Sequence, residues 1–267
     1  MARIRLTRRA TLLGGATVLA APRVRAQTPI RLVILGGGFG GASAARFARD
    51  RFPDVEVTLI ERSRTFMTSP YGNLVLGGKR RIEEISFTYD GLSRRGVRVV
   101  HDSATALDPQ GKTVRLANGA AVAFDRLIVS PGIELRWGAI EGYDEAASAR
   151  MPHGWLPGLQ PVSVLERQLR EMPDGGTFIM AIPDNPFRCP PGPYERISMV
   201  AHYFKQAKPR SKILALDAKG GFSKQPLFTE GWNELYPGMI EWVGYFEVNQ
   251  RKGWRWNTAK AFLRGVE

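Results

Sequence analysis

Hydrophobic and polar positions along this chain switch between two periods, and the switches mark its elements. Ile30-Arg-Leu-Val-Ile-Leu35 is an apolar run of strand type that ends in Gly36-Gly37-Gly38-Phe39-Gly40-Gly41. From Ala42 to Arg51 the pattern is helical, with Phe47 on the expected packing face, and Val55 to Ile60 is strand again. Ser63 to Gly78 has no clear period and contains Pro70, Gly72 and Gly77-Gly78, so it is expected to be irregular. A short helix is expected over Asp90–Arg95 and a third strand over Val97–His101. Short alternating strands follow, with turns at Pro109–Lys112 and Asn118-Gly119. This meander leads into Phe124–Gly132, which reads as a buried strand returning to the first sheet.

Residues 138–160 are rich in Gly, Pro and small residues and are expected to hold a domain boundary. Beyond it, Val162–Met172 reads as a helix with Val164, Leu165 and Leu169 on one side. Thr177–Ile182 reads as a buried strand. Tyr194–Gln206 reads as a helix with Ile197, Val200, Ala201 and Phe204 on one face and Pro193 at its entrance. Lys212–Leu216 is a further strand, ending in Asp217. The expected architecture is α/β with two Rossmann-like dinucleotide-binding domains, the second incomplete.

The first strand–glycine–helix–strand unit has the spacing of a dinucleotide fingerprint. Gly36 is expected to make the tight turn, Gly38 to let a pyrophosphate approach the backbone, and Gly41 to allow close helix–strand packing. Glu61 lies twenty residues after Gly41, where an acid meets the adenosine ribose. A Gly-rich turn of purely structural use is the alternative. In the second unit, Asp184, Asn185 and prolines stand where a pyrophosphate loop needs glycines, so a nicotinamide dinucleotide is not expected there. His101 is expected to be structural.

That second turn holds the sequence's single cysteine, Cys189, in Phe187-Arg-Cys-Pro-Pro-Gly-Pro-Tyr-Glu-Arg196. A thiol between a strand and a helix N-terminus, next to Arg188, is placed to favour the thiolate. The alternative is an inert cysteine, but the flanking prolines fix the backbone around the sulfur.

The net charge of +13 changes meaning once located. The six arginines of residues 1–26 and the net +4 of residues 251–267 account for ten charges, leaving +3 for residues 27–250. A nucleic-acid partner is therefore not expected. Thr7-Arg-Arg-Ala-Thr-Leu-Leu13, a modest apolar run to Ala21 and Val24-Arg-Ala26 read as a twin-arginine export signal with its cleavage site. The apolar run is about half of the roughly twenty residues a membrane helix needs. A periplasmic mature protein without a transmembrane segment is expected.

Taken together, these residues resemble the flavin-binding subunit of flavocytochrome c sulfide dehydrogenase. The resemblance runs from residue 30 to about 242. It rests on the Gly36–Gly41 loop, Val57-Thr-Leu-Ile-Glu61, Tyr89-Asp-Gly-Leu92, Val99–Thr105, Ser130–Leu135, Ile140–Tyr143, Pro186–Arg196, Phe222–Gln225 and Met239–Trp242.

The resemblance implies FAD in residues 27–150, touched by Gly36, Gly38, Gly40, Gly41, Glu61, Arg62, Ala104 and Gly132, and a second domain over 151–245 carrying Cys189 as the catalytic residue. In the family, the cysteine matching Cys189 pairs with a second cysteine near the flavin. Hydrosulfide opens that disulfide, and the electrons pass through FAD to a c-type cytochrome subunit. The expected substrate is sulfide or a related reduced sulfur species. Ser69 stands where some members link FAD covalently through cysteine, so FAD is expected to be non-covalent. Residues 246–267 are expected to be a basic tail outside the family pattern, and the chain is expected to be a shortened form. The alternatives are a non-catalytic FAD-binding remnant, a sulfide:quinone oxidoreductase and, less favoured, an NADH-dependent flavin reductase.

Overall fold

The computed structural model describes residues 28–138, 142–153, 159–187 and 189–245, without the side chains of 159–161. The export signal at 1–26, Arg188 and the tail at 246–267 lie outside the described residues.

The first sheet is built on β1 (Ile30–Leu35), because its alternating side chains serve two cores at once. Ile34 points to one face, with Val57, Leu59, Tyr89 and Val97 beside it and Ala45 and Ala48 of α1 (Phe39–Arg51) above it. Val33 points to the other, against Ile60, Val114, Leu116 and Phe124. β2 (Val55–Ile60) pairs parallel with β1 on one side. β5 (Arg98–Val100) adds beyond β2, and β9 (Arg126–Val129) pairs parallel with β1's other edge. The order β5-β2-β1-β9 is that of one half of a doubly wound sheet. The second face is covered by the antiparallel meander β6 (Ala104–Asp108), β7 (Thr113–Leu116) and β8 (Ala121–Ala123). Arg31 joins β1 to the start of β9: its backbone N–H and Nε donate to Asp125 Oδ2 at 2.9 and 3.0 Å, and Nη2 donates to Oδ1 at 2.9 Å.

Three expectations change here. The first helix starts at Phe39 rather than Ala42, so Gly40 and Gly41 lie in its first turn. Phe47 faces solvent at 58% exposure, while Ala45 and Ala48 make the packing face. Small residues allow a close helix–sheet approach that a phenyl ring would prevent, and Phe47 packs instead edge-on to Phe52. β9 is not buried: it is an edge strand among the described residues, with Val129 58% exposed.

The segment expected to be irregular is ordered, and it belongs to the other core. After β2 the chain forms β3 (Thr65–Met67), a 3-10 turn at Ser69–Tyr71, α2 (Gly72–Leu76), a second 3-10 turn at Ile82–Ile85, β4 (Ser86–Thr88) and α3 (Asp90–Ser93). β3 and β4 pair antiparallel. Met67, Val75, Leu76 and Ile85 are buried with residues from beyond position 160. The mixed Gly, Pro and polar spacing hid this because each piece is only three to five residues long.

A four-residue helix, α4 (Glu145–Ser148), leads toward that second core, which starts with α5 (Leu159–Glu171). Val162, Leu165 and Leu169 make its buried stripe. β10 (Thr177–Ile182), α6 (Gly192–Ala207), β11 (Lys212–Asp217), α7 (Gln225–Leu235) and β12 (Ile240–Val243) follow. The strands pair in parallel in the order β10-β11-β12, and β10–α6–β11 is a βαβ unit. Ile197, Val200, Ala201 and Phe204 of α6 are all fully buried. β10, expected to be buried, is only partly so because it pairs on one side among the described residues. Lysines satisfy carbonyls left open where helices end: Lys208 Nζ donates to Arg170 O and Met172 O after α5, and Lys205 Nζ to Leu235 O after α7.

Leu76 is 1% exposed between α2 and the second core. Leu76→Ala is expected to lower unfolding free energy by about 2–5 kcal/mol, measured from the urea midpoint; a change near zero would mean that α2 is not part of that core.

Candidate functional site

The glycine loop lies at the C-terminal end of β1, where doubly wound sheets bind their ligands. Gly36 has φ +93°, and a Cβ there would meet Ser130 O at 2.1 Å. Conformation and contact both exclude a side chain. A Cβ on Gly41 would lie 1.8 Å from Gly36 O, so the backbone of α1 rests directly on the turn. A Cβ on Gly40 would meet Ser130 Oγ at 2.8 Å. Gly38 differs: nothing lies within 4 Å of the Cβ position. It is the N-cap of α1, with no capping side chain and no acid in the first turn. The first N–H groups of a 13-residue helix thus open toward free space beside a glycine, an arrangement that fits a diphosphate.

Tyr89 supports this loop from behind. It is 6% exposed, and its hydroxyl donates to Gly37 O at 3.1 Å. Burial, then the charge of Glu61, push that hydroxyl's pKa up to about 12, so it remains a donor at ordinary pH.

Glu61 comes from the end of β2. Its Oε2 accepts from Gly37 N at 2.7 Å and its Oε1 from Ser63 N at 2.8 Å. A carboxylate oxygen has two acceptor positions, so one remains on each for ribose hydroxyls. His101 Nδ1 lies 3.2 Å from Glu61 O and its ring 5.7 Å from that of Tyr89, a supporting position.

The structure brings Gly36, Gly38, Gly40, Gly41 and Glu61 together. Arg62 follows Glu61 and is exposed. Ala104 opens β6, three residues after His101, and is exposed. Gly132 lies two residues past Ser130, whose N–H donates to Leu35 O at 2.8 Å beside the turn. Ser69 opens the 3-10 turn before α2.

Cys189 lies between β10 and α6, at the C-terminal end of the second sheet. It is exposed, has φ +60° and accepts from Gly192 N through its carbonyl at 2.9 Å. A left-handed backbone is unfavourable for cysteine and persists where surroundings impose it. α6 starts two residues earlier than expected, at Gly192, and Pro193 is buried within its first turn.

Asp217 ends β11, the position Glu61 holds relative to the first unit. Yet Asp217 is fully buried, and all four of its acceptor positions are occupied. Oδ1 accepts from Lys219 N at 3.0 Å and Lys219 Nζ at 2.6 Å; Oδ2 accepts from Tyr194 Oη at 2.6 Å and Trp242 Nε1 at 3.0 Å. No acceptor remains for a ribose. Burial, the hydrogen bond to Asp217 and its charge all raise the Tyr194 pKa. Sequence reasoning noted Asp217 only as a strand end and Tyr89 only as part of a matching stretch, and passed over Lys219. The signal for Asp217 was its place after the second strand of a βαβ unit.

Two family models match in succession: "Pyridine nucleotide-disulphide oxidoreductase" over residues 30–152, and "Sulfide dehydrogenase [flavocytochrome c] flavoprotein chain, central" over residues 162–260. The second match continues past residue 243, where the family pattern was expected to stop. The stretch 249–257 has no hydrophobic period, so periodicity could not show the likeness. The chain is 49% identical over 45 residues to the sulfide dehydrogenase flavoprotein chain of Chlorobaculum thiosulfatiphilum, covering 17% of this chain and 94% of that sequence. It is 30% identical over 119 residues to the sulfide-quinone reductase of Aquifex aeolicus, covering 44% of this chain and 27% of that protein. It is 24% identical over 187 residues to the mitochondrial sulfide:quinone oxidoreductase of Dictyostelium discoideum, covering 68% and 40%. The solved sulfide:quinone oxidoreductase of Aquifex aeolicus has the same fold at TM-score 0.61 and 22% identity, over 81% of this chain and 51% of that one. The chain thus spans about half or less of the length of the sulfide:quinone relatives it matches.

Gly41→Ala is expected to lower unfolding free energy by about 3 kcal/mol through overpacking against Gly36 O, while Gly38→Ala changes it by at most about 1 kcal/mol. Urea titrations of the two variants check this; equal losses would refute the contrast between a packed and an open glycine.

Proposed function

Because this chain belongs to the pyridine nucleotide-disulphide oxidoreductases and carries the central segment of the flavocytochrome c sulfide dehydrogenase flavoprotein, we propose that it is an FAD-dependent oxidoreductase that oxidises sulfide through Cys189 and passes the electrons to a c-type cytochrome subunit. The observation that carries this reading is the contrast between its two βαβ units. The first has an open glycine, a bare helix N-terminus and an acid with acceptors to spare. The second has its acid saturated and an exposed thiol where a phosphate loop would lie. One unit is fitted to hold a dinucleotide and the other to present sulfur.

In this reading the α1 N-terminus and the Gly37–Gly38 backbone hold the diphosphate of FAD, and Glu61 holds the adenosine ribose. Arg62, Ala104 and Gly132 flank that site. When bound, FAD supplies a two-electron acceptor that can release electrons singly. With Ser69 as a hydroxyl, the cofactor is held without a covalent bond. Cys189 acts from a disulfide: hydrosulfide attacks one sulfur, a new sulfur–sulfur bond forms, and the displaced sulfur leaves as thiolate with the bonding pair. This sequence has a single cysteine, so the partner sulfur lies outside it. The Thr7–Ala26 pattern supports twin-arginine export to the periplasm. Among the described residues no helix is long and apolar enough to cross a membrane.

The test is the visible spectrum of the purified exported protein before and after anaerobic sulfide. A flavin band that bleaches with sulfide, recovers with cytochrome c and ignores NADH supports the proposal. Bleaching reversed by quinone alone would move it to sulfide:quinone oxidoreductases, and a flavin band indifferent to sulfide would leave only a flavin-binding protein. Cys189→Ser is expected to abolish sulfide bleaching with flavin still bound; retained bleaching would remove Cys189 from the reaction. Glu61→Ala is expected to weaken FAD binding by about 1–3 kcal/mol in a fluorescence titration, and an unchanged affinity would show that another group holds the ribose.

A further inference from the structure

The turn that carries Cys189 is tied down at both ends, and both ties lead to one carboxylate. On the C-terminal side, Tyr194, five residues after the cysteine, donates its hydroxyl to Asp217 Oδ2 at 2.6 Å. On the N-terminal side, Lys219 Nζ donates to Pro183 O at 3.0 Å and lies 4.9 Å from the centroid of the Phe187 ring, two residues before the cysteine. The same Nζ donates to Asp217 Oδ1 at 2.6 Å. Lys219 is itself fixed: Tyr245 N donates to Lys219 O at 3.0 Å, and its side chain is 9% exposed against none for Asp217.

We propose that Asp217 is the positioning residue of the Cys189 turn, acting through Tyr194 on one arm and Lys219 on the other. A fully buried carboxylate is an expensive way to fill space, and apolar residues of equal volume would pack at least as well. It does offer four directed acceptors at one point. Here two go to Lys219, one to Tyr194 and one to Trp242 of the adjoining strand, so β11, β12 and both flanks of the turn share one origin. Cys189 needs such support, because its left-handed backbone would relax if either flank were released. Stacking holds the Tyr194 ring independently: Phe222 lies 3.7 Å away, centroid to centroid. The loss of the hydroxyl alone therefore separates the tie from the packing.

This inference builds on the reading of Cys189 as the reactive sulfur, but its test does not depend on that reading. The variants are Tyr194→Phe, Lys219→Met, their combination and Lys219→Arg, which keeps a cation. Three quantities are read on each: hydrogen exchange of the amides of residues 184–192, the rate and pH profile of Cys189 alkylation by iodoacetamide, and the urea midpoint. Either single variant is expected to speed exchange in the turn at least tenfold, with residues 30–35 and 55–60 unchanged, and to change the alkylation rate at least tenfold. The double variant is expected to add less than threefold to the larger single effect, since losing either arm frees the turn. Lys219→Arg is expected to restore most of the protection.

A lowered urea midpoint with turn exchange and alkylation at wild-type values would overturn the proposal, reducing the network to fold stability. Multiplicative effects in the double variant would also overturn it, because the arms would then act separately. If Cys189→Ser still bleaches with sulfide, the reading of the sulfur fails, while the clamp stands or falls on exchange and alkylation alone.

Discussion

The first half of the structure depends on a backbone-to-backbone contact. Gly41 in the first turn of α1 rests on Gly36 O, and Gly36 in turn rests on Ser130 O at the end of β9. The start of α1 and the turn just before it meet the distant segment that follows β9 with no side chain between them. That closeness sets the position of the α1 N-terminus over the sheet, and Tyr89 keeps it there from the opposite side. The proposed diphosphate site is therefore a product of packing: where the helix is closest to the strand, its first N–H groups stand beside the strand end from which Glu61 emerges.

The two βαβ units show how one topology surrounds the acid at its strand end in two different ways. Both run strand, turn, helix and parallel strand, and both end their second strand in an acid. In the first unit the acid is half-buried and bonded to backbone amides that leave acceptors open. In the second, a tyrosine, a lysine and a tryptophan close around it. The fold alone would have allowed a dinucleotide in either place. In the proposed function, side chains at the strand ends decide which unit holds a ligand and which serves as a mount for a turn.

Much of this was legible in the sequence. The strand–glycine–helix–strand order, the meander and the second βαβ unit follow from periods of two and 3.6 and from glycines and prolines at the switches. What escaped had physical causes. Phe47 looked like a packing residue because it is the largest apolar group in the helix expected over Ala42–Arg51, yet close approach selected Ala45 and Ala48. The segment from residue 63 to 78 looked irregular because its elements are too short to show a period. Its order comes from distant partners such as Val162 and Ile197. At the candidate site, the glycines and Glu61 were readable because a known spacing links them. The Tyr194–Asp217–Lys219 network was not, since Tyr194 meets Asp217 only once α6 packs against β11.

The placement of α2 bears on how the chain is made. Val75, Leu76 and Ile85 are synthesised among the elements of the first sheet, but they are buried with residues 162 to 239. A nascent chain that has emerged only as far as β9 can close the α1 and meander faces of the first sheet, while these three side chains still face water. They stay exposed until roughly another hundred residues have been translated, an interval in which unsatisfied apolar surface invites association. The two halves are thus joined in time as well as in space: the first cannot finish folding until the second has left the ribosome.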